Sequence, residues 1–287
     1  MNNNPTAQKS LGQHWLSDAA TLQAICDAGE VKPSDTILEI GPGTGTLTAH
    51  LLATGANVIA IEKDPNLAST LCERFDLSQM SGVNREKVST NNHVRGSTSH
   101  MLRVAEGDVL EFDLTELPVD YKVIANIPYY LTSKLIRVLS ETSNQASRVV
   151  LLVQKEVAER VTAQPGQMSL LAVSAQFYWQ VELGDVVPAR LFVPPPKVDS
   201  QVLIMTRRAE PLFVGVDPKL YFRVVKAGFA SRRKTLLNSL AGGLRTDKKQ
   251  IQKVLESAQL KPTLRPQNLS LKDWRNLTDI CQQQKLL

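Results

Sequence analysis

Asn126, Ile127, Pro128, Tyr129 and Tyr130 stand together directly after a short apolar run, Tyr121–Ala125. An Asn side-chain oxygen and a neighbouring backbone carbonyl can accept the two hydrogens of an aromatic amine and leave its lone pair facing an electrophile. Adenine needs such orientation, because the lone pair of its exocyclic nitrogen is delocalised into the ring and attacks poorly. Pro128 fixes its own φ and so aims the local backbone. Tyr129 offers a ring face on which an extruded base can stack, a contact worth about 1–3 kcal/mol. The plain alternative is an Asn-x-Pro turn with two packing tyrosines, and the surrounding motifs decide between the two.

Three upstream motifs fall at the ends of candidate strands. Glu39 precedes Gly41-Pro42-Gly43-Thr44-Gly45, where a strand ending at Ile40 runs into a helix starting near Thr46. Glycines allow a tight turn and close approach to a ligand. Their spacing is G-x-G-x-G, whereas the fingerprint that cradles a pyrophosphate is G-x-G-x-x-G. With Glu39 beside it, the loop suits a cationic ligand without phosphate, such as S-adenosylmethionine, better than a dinucleotide. Glu62, followed by Lys63, closes the next strand 21 positions after Gly41, where a carboxylate can grip ribose hydroxyls. Asp108 follows the third strand and can accept from an adenine amine or simply cap a turn. Ligands of open α/β sheets sit at the carboxyl ends of strands, so all these residues converge on one edge.

A sheet must hold them there. Strands are expected at Thr36–Ile40, Asn57–Glu62, Leu102–Glu106, Tyr121–Ala125, Arg148–Gln154, Gln176–Val181 and Ser200–Thr206. Helical patterns between them imply a mostly parallel, seven-stranded Rossmann-like α/β sheet covered on both faces. The last two strands resemble an antiparallel edge, entered after Pro194-Pro195-Pro196, which cannot join a central ladder. Beyond about Pro218 only helices are expected, at Tyr221–Ser231, Lys234–Leu244, Lys248–Ala258 and Ser270–Gln284, broken by Gly242-Gly243, Pro262 and Pro266. Two domains follow, 1–207 and 208–287. The polar, aperiodic stretch 78–100 reads as a long surface loop.

Charge separates the same two parts. Residues 1–199 hold 16 Lys and Arg against 22 Asp and Glu, while residues 200–287 hold 17 against 6, within a total of +5. A segment at +11 attached to an acidic one points to a module that binds a polyanion. At 43% hydrophobic residues over 287 positions the chain can bury a core. No apolar run approaches the roughly 18 residues of a membrane span, and the polar start MNNNPTAQKS is unlike a signal peptide. Cys26, Cys72 and Cys281 match no metal or disulfide spacing, and His14, His50, His93 and His100 form no ligand cluster. A metal-free protein of a reducing, cytoplasmic compartment is the expectation.

The motifs together resemble the small-subunit ribosomal RNA adenine dimethyltransferases of the KsgA type. Their relatives are the erythromycin-resistance methyltransferases and the mitochondrial transcription factor B proteins. The resemblance starts at Lys9-Ser10-Leu11-Gly12-Gln13-His14-Trp15-Leu16 and runs through EIGPGTGTLT, IEKD, EGD and NIPYY. It continues in QKEVAER from Gln154, in FVPPPKVDS from Phe192 and in FASRRK from Phe229. These later blocks are absent from methyltransferases in general.

The resemblance implies that Gln13, His14, Leu16, Glu39, Gly41, Gly43, Glu62, Lys63, Asp108 and Asn126 hold S-adenosylmethionine and its product S-adenosylhomocysteine. Asn126, Pro128 and Tyr129 would hold the target adenine, and Lys197, Arg232, Arg233 and Lys234 would meet RNA phosphates. It also implies a monomer that dimethylates two adjacent adenines near the 3′ end of small-subunit rRNA. Three departures stand out: Trp15 where the family usually has Phe, the long 78–100 stretch, and a short connection after Gln164-Pro165-Gly166. Other readings are a resistance-type enzyme acting on large-subunit rRNA, a non-catalytic RNA-binding assembly or transcription factor on the same fold, and a nicotinamide oxidoreductase.

Overall fold

The computed structural model describes residues 13–75, 102–231 and 233–287. Lys9–Gly12 of the first motif, the 78–100 stretch and Arg232 lie outside the described residues. The chain opens with β1 (Trp15–Leu16) and α1 (Ala19–Ala28), followed by β2 (Thr36–Ile40), α2 (Thr46–Ala53), β3 (Asn57–Glu62), α3 (Pro65–Arg74) and β4 (Leu102–Glu106). Next come β5 (Lys122–Asn126), α4 (Thr132–Glu141), β6 (Arg148–Gln154), α5 (Lys155–Val161) and α6 (Leu170–Tyr178). Three strands follow, β7 (Trp179–Val187), β8 (Phe192–Val193) and β9 (Ser200–Arg207), and then four helices, α7 (Pro218–Phe229), α8 (Leu236–Leu244), α9 (Lys248–Ser257) and α10 (Leu271–Gln283).

Among the described residues seven strands form one sheet in the order β4-β3-β2-β5-β6-β9-β7. The pairs β2–β3, β3–β4, β2–β5 and β5–β6 are parallel, while β6–β9 is antiparallel. Fully buried runs such as Val149–Val153 are what a central strand covered on both faces demands. From β2 the chain builds outward through β3 and β4, then returns to place β5 on the other side of β2. That reversal is a topological switch point, and it opens a crevice beyond the carboxyl ends of β2 and β5.

Helix starts follow from side chains that satisfy free backbone N–H groups. Asp18 accepts from Thr21 N–H, Asp64 from Asn66 N–H ahead of Pro65, and Asp217 from Lys219 N–H ahead of Pro218. Ser270 and Asp273 form a reciprocal capping box at α10.

Three sequence expectations change. The strand set at Tyr121–Ala125 is shifted by one residue, so Asn126 is itself in β5 and pairs with Leu152. The strand expected over Gln176–Val181 starts only at Trp179, because α6 extends to Tyr178. Ser169 caps that helix by accepting from Ala172 N–H, and Phe177 buries its ring against Tyr221 and Phe222. Gly242 and Gly243 do not break a helix but lie inside α8.

The chain divides into two compact units, one holding the described residues up to Ala158 with Gln180–Arg207, the other Glu159–Trp179 with Arg208–Leu287. This differs from a contiguous division at 207/208 by one segment. Met168, Ala172, Val173 and Phe177 are buried in the same core as Tyr221, Val224 and Trp274, which draws residues 159–179 into the second unit. Among the described residues no helix is long and apolar enough to cross a membrane.

Candidate active site

A cavity in the first unit is walled by the carboxyl ends of β2, β3 and β5, the turn after β4, and residues 13–16. It gathers Gln13, His14, Leu16, Glu39, Gly41, Gly43, Glu62, Lys63, Asp108, Asn126, Pro128 and Tyr129. Residues spread over more than a hundred positions thus meet where the switch point places them.

Glu39, at the end of β2, is 1% exposed, and its Oε2 has no hydrogen-bond partner. Burial pushes its carboxyl up to about 8 against the nearby Thr48 hydroxyl, which favours the charged form, and the charge of Glu62 adds to the rise. Glu62 is also buried, but its oxygens are engaged: Gly43 N–H donates to Oε2 at 3.1 Å and Asp64 N–H to Oε1 at 2.9 Å. Burial still raises its carboxyl above the ordinary value against those bonds. One N–H of the glycine loop therefore binds a carboxylate of the chain itself. With that N–H occupied and Glu39 beside it ready to ionise against a cation, the loop suits a cationic ligand better than a pyrophosphate.

Within the loop, Gly41, Gly43 and Gly45 take φ of 64°, 57° and 77°. Gly45 is doubly constrained, because a Cβ there would meet Leu71 Cδ1 at 2.5 Å as well as adopt the left-handed region.

Asp108 is held from two sides. Leu110 N–H donates to Oδ1 at 3.0 Å and the Lys63 ammonium to Oδ2 at 2.9 Å. Burial opposes its ionisation, yet these two donors hold the carboxyl below its usual value. Lys63 thus acts on Asp108, with a side chain 57% exposed.

The Asn126 amide nitrogen donates to the backbone carbonyl of His14 at 3.2 Å, which leaves its Oδ1 as an acceptor at the cavity. Pro128 accepts from Leu131 N–H at 3.0 Å. The Tyr129 hydroxyl and Ser200 Oγ are 2.7 Å apart, and the His14 ring stacks on Tyr129 with centroids 5.8 Å apart and planes inclined by 25°. His14 Nδ1 is 2.7 Å from the Pro194 carbonyl. The proline-rich block that resembled a family signature therefore fixes both neighbours of the Tyr129 ring, Ser200 from one end and His14 through Pro194 from the other.

Lys197, Arg233 and Lys234 are not part of this cavity. All three are exposed, Lys197 in the first unit and the other two in the second. Sequence reasoning gave no separate role to Trp15, Lys134 or Ser200. Trp15 and Lys134 line the cavity, and Ser200 anchors Tyr129. Ser200 was legible in its block, whereas no spacing marks Lys134, which reaches the cavity from the first turn of α4. Among the described residues no group of three or more His, Cys, Asp and Glu side chains is placed to hold a metal ion.

Residues 4–283 match the model of the family described as ribosomal RNA adenine dimethylase. The chain is 37% identical to ribosomal RNA small subunit methyltransferase A of Dehalococcoides mccartyi, over 94% of this chain and 87% of that one. It is 36% identical to the protein of the same name from Streptococcus thermophilus, over 96% and 91%. Among solved structures, a dimethyladenosine transferase from Plasmodium falciparum superposes with a TM-score of 0.75 at 26% identity, covering 95% of this chain and 98% of that one. The 23S rRNA methyltransferase ErmE gives 0.69 at 26% identity, covering 93% and 98%.

Proposed function

The chain belongs to the ribosomal RNA adenine dimethylase family, and from that premise we propose that its cavity transfers methyl groups from S-adenosylmethionine to the exocyclic amines of two adjacent adenines near the 3′ end of small-subunit rRNA. One observation carries the reading: the Asn126 amide nitrogen is tied to the His14 carbonyl, so its oxygen is the acceptor offered beside Tyr129.

The donor set fits the cofactor. Glu39 presents a buried, unpartnered acceptor to a cationic ligand, Glu62 matches ribose hydroxyls, and Asp108 matches an adenine amine. When bound, S-adenosylmethionine supplies a methyl group on a sulfonium. The chain's own work is orientation. Asn126 Oδ1 takes one amine hydrogen of the target. Because the Pro128 carbonyl already accepts from Leu131 N–H, the Ile127 carbonyl is the freer partner for the other. Tyr129, braced on one face by His14, stacks the base on its remaining face. Holding the reactants in line lowers the barrier through positioning.

Lys197, Arg232, Arg233 and Lys234, with the basic helices of the second unit, meet RNA phosphates, and the chain works as a cytoplasmic monomer. The experiment supplies tritiated S-adenosylmethionine and undermethylated small ribosomal subunits, followed by nucleoside analysis of the rRNA. Dimethyladenosine in that rRNA is the expected product. Label only in large-subunit rRNA would favour the resistance-type alternative, and RNA binding without transfer would favour a non-catalytic factor.

A further inference from the structure

Two polar atoms of cavity-lining residues have no partner within the chain: Glu39 Oε2, an acceptor, and the indole Nε1 of Trp15, a donor. Buried polar groups are rarely left unpaired. An orphaned indole alone says little, since Trp274 Nε1 is also unpartnered in the core of the second unit. Trp15 differs in its place. Its five-membered ring lies on the glycine loop, where a Cβ added to Gly43 would be 3.3 Å from Nε1 and 3.4 Å from Cδ1. The backbone beneath it is fixed by the pairing of Trp15 with Val193, and the next carbonyl, of Leu16, accepts from the Thr46 hydroxyl at 2.9 Å.

An amino-acid zwitterion carries the complementary pair, an ammonium that donates and a carboxylate that accepts. Glu39 matches the ammonium, but the carboxylate needs a donor in a cavity otherwise rich in carboxylates. The glycine loop does not supply it through its glycines. Gly41 N–H is given to the Ile61 carbonyl, Gly43 N–H to Glu62, and Gly45 N–H to the Pro42 carbonyl. The two lysines of the wall stand elsewhere: Lys63 is paired with Asp108, and Lys134 acts on that same carboxylate. Asp108 marks the adenine end of the site.

Building on the cofactor reading above, we infer that Trp15 is a cofactor-binding residue whose Nε1–H donates to the carboxylate of the methionine portion of S-adenosylmethionine and S-adenosylhomocysteine. Glu39 and Trp15 then read the two ends of one zwitterion. The indole also covers the loop, so a phenylalanine there keeps the packing and removes only the donor.

The full chain is titrated calorimetrically with S-adenosylhomocysteine and with S-adenosyl-3-thiopropylamine, which keeps the nucleoside, sulfur and amine but lacks the carboxylate. Trp15→Phe should weaken S-adenosylhomocysteine binding about tenfold or more, as expected for a lost hydrogen bond to a charged group, and leave the decarboxylated analogue within about twofold. The wild-type chain gives a second readout that needs no folded variant. It has three tryptophans, and one indole N–H resonance should move with S-adenosylhomocysteine and stay in place with the analogue. Equal weakening of both ligands, no weakening of either, or no selective indole shift overturns the assignment while leaving the cofactor reading intact. Wild-type protein that binds neither ligand overturns the cofactor reading, and this assignment with it.

Discussion

Glu39 sits where the fold favours its neutral form, yet its proposed partner is a cation. Burial lifts its carboxyl from an ordinary 4.5 to about 8. Between those values the folded chain holds a proton that the unfolded chain has released, so this group's contribution to stability declines as pH rises through the window. A cationic ligand reverses the preference and expels the proton. Binding of S-adenosylhomocysteine should therefore strengthen as pH rises toward about 8, by up to about tenfold per unit. At pH 6.5 the binding heat should depend on the buffer's ionisation enthalpy. Glu39→Gln should bind more weakly and lose both dependences; a retained pH slope would place the titrating group elsewhere. Asn126 is expected to serve both ligands, with the larger share of its effect on the target adenine. Asn126→Ala should lower kcat by about a hundredfold or more through lost orientation, measured as methyl transfer to small subunits, and weaken S-adenosylhomocysteine binding by a smaller factor. Equal losses in cofactor affinity would mean that Asn126 serves the cofactor side instead.

Elements show what sequence patterns carry and what they omit. The strands at Thr36–Ile40, Asn57–Glu62 and Arg148–Gln154 were legible because parallel strands buried on both faces leave continuous β-branched runs. The Asn126–Tyr130 pentad and the glycine loop were legible as cavity-lining because ligand sites in this architecture lie at strand ends. The β1–β8 ladder was not, since two-residue strands hold no pattern, and it positions Trp15 and Leu16. The end of α6 was misread because aromatic residues around Phe177 suit a strand locally, while their packing with Tyr221 and Phe222 is tertiary. Gly242-Gly243 is the clearest instance. A glycine pair signals a break, yet both lie within α8, and only one of them has a packing reason. A Cβ at Gly243 would meet Ala227 Cα at 2.5 Å, whereas one at Gly242 meets nothing within 4 Å. Gly243→Ala should thus destabilise the chain by about 1–3 kcal/mol through overpacking of α7 on α8. Gly242→Ala should stabilise it by about 0.4–1 kcal/mol through a less flexible unfolded chain and better helix propensity. Paired denaturant melts decide it; the same sign for both would mean that the helix pair adjusts freely.

Across the whole chain, charge sets a problem that the second half must solve. Residues 1–199 are net acidic, and the cavity itself carries Glu39, Glu62 and Asp108. That part has no net positive charge to draw in an RNA strand, so the proposed affinity rests mainly on residues 200–287, with 17 basic residues against 6 acidic. On α7 the basic residues Lys219, Arg223 and Lys226 are all exposed at helical spacing, and Arg233 and Lys234 follow, also exposed. The opposite face of α7 buries Tyr221, Val224 and Val225. A stripe of cations on a helix whose other face is core is suited to phosphates spaced along a strand. Binding of small-subunit rRNA should then weaken with salt, log K falling by about 0.7–0.9 per log unit of salt for each phosphate neutralised. Arg223→Glu combined with Lys226→Glu should weaken that binding, make the salt slope shallower in proportion to the phosphates no longer neutralised, and leave S-adenosylhomocysteine affinity untouched. Filter binding across a salt series measures the slope and calorimetry the cofactor. An unchanged slope would show that the α7 stripe is only a solvated surface, and would leave the acidic first unit without the attraction its substrate requires.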